Sequence, residues 1–462
     1  MKSQPTPHKK SGITRLRIVA AIALAALLTS TSAHPSEARS GHGHGHGHAY
    51  AQAPHHARGR GSPHAAHSAA SAVKEPVLTS VEPTTAPVPS PSAAWKKLLS
   101  HSDSFQEGIV IQTEDGTEFV SVNAADPNFN PASNTKLATT LAVLRKFGPD
   151  YTFNTEVRYT GTVDAQGELQ GDLFIEGNDM LFGDRQVGEL IQILKAHKIK
   201  SITGDIYVSS DFSMNLETTG AAAGRQLLSE LDPFYKKRHQ GVNLRKRQTQ
   251  VLVQGSVKVG PAPGNSTLLA SHVSPPLKDM LKIMLCYSDN TMAKMFGDMI
   301  GGPEALTQFV RHDLGVPANE ATFASTSGLE VNRVSPRAMQ TILKALRAEV
   351  AARGMRLSDI LAVAGVDPST LKKRFTGAYA GSVIAKTGTL TDTDHGASAL
   401  SGEIHTRKGV FLFTIFEIHG NFRSFRVRQN ELVQQFERDY GGPAPIAYKS
   451  FVGRIDHEDK WK

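Results

Sequence analysis

From about Ala94 onward the chain alternates between two hydrophobic periods. Gly108 to Val122 alternates apolar and polar positions around Asp115-Gly116, which predicts a β-hairpin. A helix is predicted from Ser133, with Leu137, Leu141 and Leu144 at helical spacing and Gly148-Pro149 as its stop. Between Tyr151 and Ser213 the order is strand, strand, helix, strand. The strands fall at 153–159, 171–176 and 204–209, and the helix carries Val187, Leu190, Ile191 and Leu194 on one face. A further helix is predicted from Pro276, with Leu277, Met280, Leu281, Met284 and Leu285 in register, and another from Pro336 to about Arg353. The C-terminal part predicts strands at 382–385, 397–404 and 410–418 and a closing helix over 425–438. No internal repeat is visible.

The sequence before Ala94 is of another kind. Lys9, Lys10, Arg15 and Arg17 precede an apolar run from Ile18 to Leu28, and Thr31-Ser32-Ala33 follows. That order predicts a secretory signal over 1–33, with an uncleaved anchor as the alternative. Residues 34–92 are rich in Ala, Ser, Pro, Gly and His, and read as a disordered linker. His42, His44, His46 and His48 alternate with glycine there, but a tail without preformed geometry predicts only incidental metal binding, and no metal or other cofactor is expected.

Composition narrows the setting. The 462 residues carry a formal charge of +8 and a single cysteine, Cys286, so an intrachain disulfide is excluded. A basic balance suits work near anionic polymers, whether wall, membrane surface or nucleic acid, and does not choose among them; it is compatible with peripheral membrane contact. The basic stretch around Lys236, Lys237, Arg245 and Lys246 has few interleaved aromatics, which argues against nucleic acid as a partner. A periplasmic or wall-facing location is expected.

Three short motifs then occur in one order: Ser133-Asn134-Thr135-Lys136, Ser288-Asp289-Asn290, and Lys386-Thr387-Gly388 followed by Thr389. The triplet S-x-x-K, S-D-N, K-T-G is a signature of penicillin-binding proteins and class A β-lactamases. Singly each is weak. S-x-x-K recurs at Ser71 to Lys74, and S-x-N at Ser121 to Asn123. Together, and each in fitting local structure, they are specific. Ser133 opens a helix and Lys136 lies one turn on, within reach of its hydroxyl. Lys386 to Gly388 is expected to end a strand, beside the turn Thr391 to Gly396, where an edge can hold an extended substrate.

These residue types fit acyl transfer. A serine hydroxyl needs a base, and a lysine serves when burial and a second cation lower its pKa; Lys386 can supply that cation. Ser288 can pass a proton to the leaving amine, and Asn290 can hold a substrate amide. Thr387, Gly388 and Thr389 form the substrate-binding end, with Lys386 supplying the field for a terminal carboxylate. The oxyanion is expected between the backbone N–H groups of Ser133 and Thr389.

The chain resembles the D-Ala-D-Ala carboxypeptidase/endopeptidases of the class C low-molecular-mass penicillin-binding proteins. Beyond the motifs, the resemblance rests on Gly171-Asp172-Leu173 with Glu176 to Asp179, Ile202 to Ile206 with Asp211-Phe212, His272 to Leu277, Ser327-Gly328-Leu329 with Asn332-Arg333, and Ser398 to Gly402. It implies an α+β fold: a penicillin-binding/β-lactamase-like transpeptidase domain, with an antiparallel sheet and flanking helices, carrying a smaller inserted mixed α/β domain. The expected division is 93–150 and 265–462 for the catalytic part and 151–264 for the insert. It also implies a serine-type D-Ala-D-Ala carboxypeptidase or DD-endopeptidase acting on peptidoglycan stem peptides through an acyl-enzyme at Ser133, with β-lactams as covalent inhibitors. Two departures stand out. The stretch between Ser133 and Ser288 is short for the family, and Asn178 and Met180 stand where glycine and proline are usual.

Other classes fit less well. A class A β-lactamase needs an E-x-x-L-N element, which is not found between Glu320 and Asn332. A metal-handling role for the histidine tail leaves the rest of the chain unexplained. A catalytically weak β-lactam- or wall-binding protein is the remaining alternative.

Overall fold

A computed structural model describes residues 92–99, 105–235, 251–457 and 459–462. The expected signal, the histidine-bearing linker and most of the basic stretch after Tyr235 lie outside the described residues. In chain order the first part comprises α1 (Ala93–Leu99), β1 (Gln106–Thr113), β2 (Glu118–Val122), a 3-10 turn at Ala132–Asn134 and α2 (Thr135–Phe147). Next come β3 (Asn154–Tyr159), β4 (Thr162–Val163), β5 (Glu168–Gln170), β6 (Leu173–Glu176), α3 (Asp184–Ala196), β7 (Ser201–Ile202), β8 (Ile206–Val208) and α4 (Gly220–Leu231). They are followed by β9 (Leu252–Val253), β10 (Val257–Val259), β11 (Thr267–Val273), α5 (Leu277–Tyr287), α6 (Asn290–Ile300) and α7 (Gly302–Gln308). The rest is β12 (Ala321–Thr322), β13 (Arg333–Val334), α8 (Pro336–Ala351), β14 (Ala362–Val363), β15 (Val383–Leu390), β16 (Ala397–Thr406), β17 (Gly409–Ile418), α9 (Phe422–Asp439) and β18 (Lys460–Trp461).

The main sheet is antiparallel, in the order β14-β15-β16-β17-β1-β2. Its central strand β17 is apolar at nearly every position because both faces are covered. Leu412, Phe416 and Ile418 join a core with Leu137 and Leu141 of α2, Met280 of α5 and Ile342 of α8. Phe411, Phe413 and Ile415 join a second core with Trp95 of α1 and Leu432 and Phe436 of α9. The helices start where capping chemistry allows. Ser335 accepts from the Ala338 N–H with Pro336 in the first turn of α8, and Asn421 accepts from the Arg423 and Ser424 N–H groups at the start of α9.

The K-T-G motif lies inside β15 and does not end it, because β16 continues to pair with it as far as Leu390. On its other side β14 reaches only Ile384 and Ala385. Among the described residues no strand pairs with the outer edge of β15 from Lys386 onward.

A second sheet runs β10-β8-β6-β3-β11-β18 and shares no strand with the first. Its core gathers Val157, Ile175, Leu190, Leu194, Ile206 and Val208. It takes in β11 and β18, which lie outside the expected 151–264 range. Two features of this region carry little sequence signal: the sheet β4-β5-β7-β9, built of two- and three-residue strands, and α4, which opens on a run of Gly and Ala.

Helix α5 is fixed by a buried ion pair. Lys282 Nζ donates to Asp367 Oδ2 at 2.8 Å and to the carbonyls of Ser358 and Leu361, and it faces the rings of Tyr448 and Phe451. Asp367 also accepts from the Val363 N–H of β14. Removing one partner strands a buried charge. Lys282→Met is expected to cost about 3–5 kcal/mol in urea unfolding, with Asp367→Ala comparable. A loss below ~1 kcal/mol for both would show that the pair does not anchor α5.

Candidate active site

Four backbone segments converge on Ser133. The residue sits in the 3-10 turn before α2, directly after Ala132, which adopts a positive φ of 46°. Lys136 lies in the first turn of α2 and is fully buried. Its Nζ is 3.1 Å from Ser133 Oγ, 2.7 Å from Asn290 Oδ1 and 2.5 Å from the Ser327 carbonyl. Burial pushes the Lys136 ammonium down to about 7, against the opposing pull of the Asp289 carboxylate.

The S-D-N motif bridges two helices. Ser288 ends α5 in the left-handed region, at φ 58° and ψ 39°, and Asp289 caps α6 by accepting from the Met292 N–H at 2.8 Å. A left-handed serine costs about 1–2 kcal/mol and persists only where its surroundings fix it. Here it brings Ser288 Oγ to 2.8 Å from Lys386 Nζ, while Asn290 starts the next helix facing Lys136.

Lys386 is also buried, and its Nζ donates to the Thr387 carbonyl at 2.7 Å. Its pKa is held well below the ordinary lysine value, first by burial and then by the Lys136 charge. The cation–cation repulsion expected to act on Lys136 thus registers on Lys386; for Lys136, burial is the dominant cause.

The predicted site residues therefore form two linked pairs, Ser133–Lys136 with Asn290 and Ser288–Lys386. Thr387 Oγ1 meets Thr370 Oγ1 at 2.8 Å. Thr389 Oγ1 donates to the Gly388 carbonyl and accepts from Arg426 at 2.8 Å. Gly388, expected among substrate-binding residues, has a packing role: a Cβ there would lie 2.6 Å from the Pro131 carbonyl oxygen. Arg333 grips Asp394 with both terminal nitrogens, and Asn130 donates to the same carboxylate, so the β15–β16 turn is pinned against the segment leading to Ser133.

Sequence reasoning missed the Ser327 carbonyl, Thr370 and Arg426. A backbone acceptor leaves no residue-type signal, and Thr370 and Arg426 belong to none of the three motifs.

An antiparallel sheet covered by helices on both faces, with a serine and two buried lysines meeting beside one of its edge strands, is the architecture of the penicillin-binding and β-lactamase-like fold. Solved structures share it. The Bd3459 predatory peptidoglycan endopeptidase from Bdellovibrio bacteriovorus aligns with a TM-score of 0.62 at 24% identity, over 74% of this chain and 95% of that chain. Penicillin binding protein 4 from Haemophilus influenzae aligns with a TM-score of 0.59 at 18% identity, over 75% of this chain and 99% of that chain. The D-alanyl-D-alanine carboxypeptidase of Actinomadura sp. (strain R39) is 31% identical over 100 residues, a match spanning 21% of this chain and only 18% of that relative. The sequence profile of the D-Ala-D-Ala carboxypeptidase 3 (S13) family matches residues 97–221 and 241–436, and this chain belongs to that family.

The turn bearing Ser133 depends on close packing at Gly328. This residue has φ +84°, and a Cβ on it would lie 2.0 Å from the Ala132 carbonyl oxygen and 2.9 Å from the Ser133 nitrogen. Gly328→Ala is expected to lower stability by roughly 1–3 kcal/mol, read as a drop in melting temperature. An unchanged melting temperature would show that the turn yields freely.

Proposed function

We propose that this protein is a serine-type D-Ala-D-Ala carboxypeptidase or DD-endopeptidase that acts on peptidoglycan stem peptides through an acyl-enzyme at Ser133. The observation that carries this reading is the buried Lys136 amine, held to about 7 and 3.1 Å from Ser133 Oγ. A neutral amine at that distance accepts the hydroxyl proton as Oγ attacks the substrate carbonyl. The C–O bond forms as the carbonyl oxygen takes up charge between the N–H groups of Ser133 and Thr389. Ser288, hydrogen-bonded to Lys386, passes a proton to the departing amine as the C–N bond breaks. Water then hydrolyses the ester and returns Ser133.

The same serine is proposed to open β-lactam rings and keep them as a stable ester. The Bdellovibrio endopeptidase has been solved in a penicillin G-acylated form, which supports the idea by likeness. Among the described residues no helix is long and apolar enough to cross a membrane. Work outside the cytoplasm, at the wall, is part of the proposal. So is the division into a catalytic part and an insert. The second sheet, with a core of its own, supports that division.

Mass spectrometry after penicillin treatment should find the adduct on the peptide bearing Ser133. An adduct at Ser288 would sink the assignment. Lys136→Ala should slow acylation by at least about 100-fold. Because Lys136 acts when neutral, the acylation rate should rise as pH increases through about 7 and level off above it. A profile that is flat from pH 5 to 9 would exclude Lys136 as the titrating base.

A further inference from the structure

We propose that Arg426 is a specificity-determining residue, whose guanidinium binds the carboxylate of the leaving D-amino acid beside Thr389. The inference rests on the function proposed above and names the partner of that substrate's negative end.

The case begins with Lys386, the residue expected to supply the field for a carboxylate. Its Nζ is turned to Ser288 Oγ and the Thr387 carbonyl, and its side chain is fully buried. Burial, and after it the Lys136 charge, hold its pKa well below the usual lysine range. Another cation must face the substrate anion if the anion is recognised by charge.

Arg426 has that position. It lies in the second turn of α9, is exposed, and donates from a terminal nitrogen to Thr389 Oγ1 at 2.8 Å. Thr389 lies on the stretch of β15 whose outer edge is unpaired. Among the described residues no carboxylate lies within 4.0 Å of Arg426, Arg423 or Arg374. The other arginines increase the positive field. Arg423 lowers the Arg426 pKa, after burial, and Arg426 in turn lowers that of Arg374. Burial pushes the buried Glu417 up to about 8, and its partners are Arg428 and Gln429.

The guanidinium is also held in place. Its carbon lies 5.2 Å from the centre of the Phe422 ring, in cation–π contact. Beneath it, Arg374 donates to Asn430 Oδ1 at 2.7 Å, to Gln429 Oε1 at 3.1 Å and to the Arg426 carbonyl at 3.4 Å, fixing the first turns of α9. A positioned, unneutralised guanidinium with donors to spare is suited to a carboxylate.

The test compares an N-acylated peptide ending in D-Ala-D-Ala with the same peptide as its C-terminal amide. Rates are measured for the full protein, Arg426→Gln and Arg426→Lys. The unsubstituted protein should prefer the acid. Arg426→Gln should lower kcat/KM for the acid by about ten- to a hundredfold, mainly through KM, and leave the amide within about twofold. Arg426→Lys should keep part of the preference, and matched melting temperatures separate recognition from misfolding. An acid-to-amide ratio unchanged in Arg426→Gln overturns the inference and leaves the proposed function standing. So does an unsubstituted protein that cleaves both peptides equally. Failure of the unsubstituted protein to cleave either peptide overturns this inference, and failure also to take up penicillin at Ser133 overturns the proposed function with it.

Discussion

The candidate site depends on burying two lysine amines, each beside a serine hydroxyl. Lys136 and Lys386 are both fully buried, and among the described residues neither forms a salt bridge with a carboxylate. A buried ammonium without a partner is costly, so the folded chain favours the neutral amine. What solvates the two nitrogens is the softer charge of backbone carbonyls, at Ser327 and Thr387, together with neutral side-chain oxygens. Asp289 lies near enough to moderate Lys136 but spends its hydrogen bond on capping α6. Burial lowers both amines, Lys136 to about 7, and Lys386 is lowered further by the Lys136 charge.

Lys282 shows the opposite solution on the same helix that leads to Ser288. It too is fully buried, but a carboxylate meets it at 2.8 Å and two carbonyls and two aromatic rings close around it. Such a pair locks geometry and leaves no amine free to take a proton from a hydroxyl. Within α5 and the residue that caps it, the chain thus uses one buried lysine to hold the helix still. Ser288 sits left-handed at the end of the same helix, facing Lys386. What separates Lys282 from the other two lysines is the carboxylate that meets its amine.

Much of the candidate site was legible because acyl transfer, the chemistry proposed for it, needs particular residue types in particular local structures. Ser133 and Lys136 could be paired from a spacing of three, and Ser288 and Asn290 from their place after an apolar helix. The main strands and helices followed from their periods, since each buries a continuous stripe. The illegible parts share a cause: they depend on contacts between distant segments. The close approach of the Pro131 carbonyl to Gly388 leaves no mark in the motif. The left-handed backbone of Ser288 has no marker, because serine is not a residue that asks for it. Arg426 stands in a helix rich in arginine, and only the fold brings that one to Thr389. Strands as short as β4 and β7 bury too few side chains to leave a period.

Of the two departures from the family pattern, the one at Asn178 and Met180 falls in the loop after β6 and leaves the three motifs intact. Met180, at a position where the family usually has proline, is buried in the main core with Leu137 and Met280, so this substitution fills space between the layers. Asp179 beside it reaches towards His272, with its Oδ2 3.5 Å from Nδ1, and His272 Nε2 meets Asp459 at 2.8 Å. Arg185 and Gln186 of α3 donate to the same Asp459 carboxylate. Stretches that the family resemblance picks out separately, around Asp179 and around His272, are therefore one buried polar cluster. Its members join the loop after β6, the strand β11 that runs into α5, and the residue before β18. Beyond β11 the chain passes into α5, whose end is Ser288.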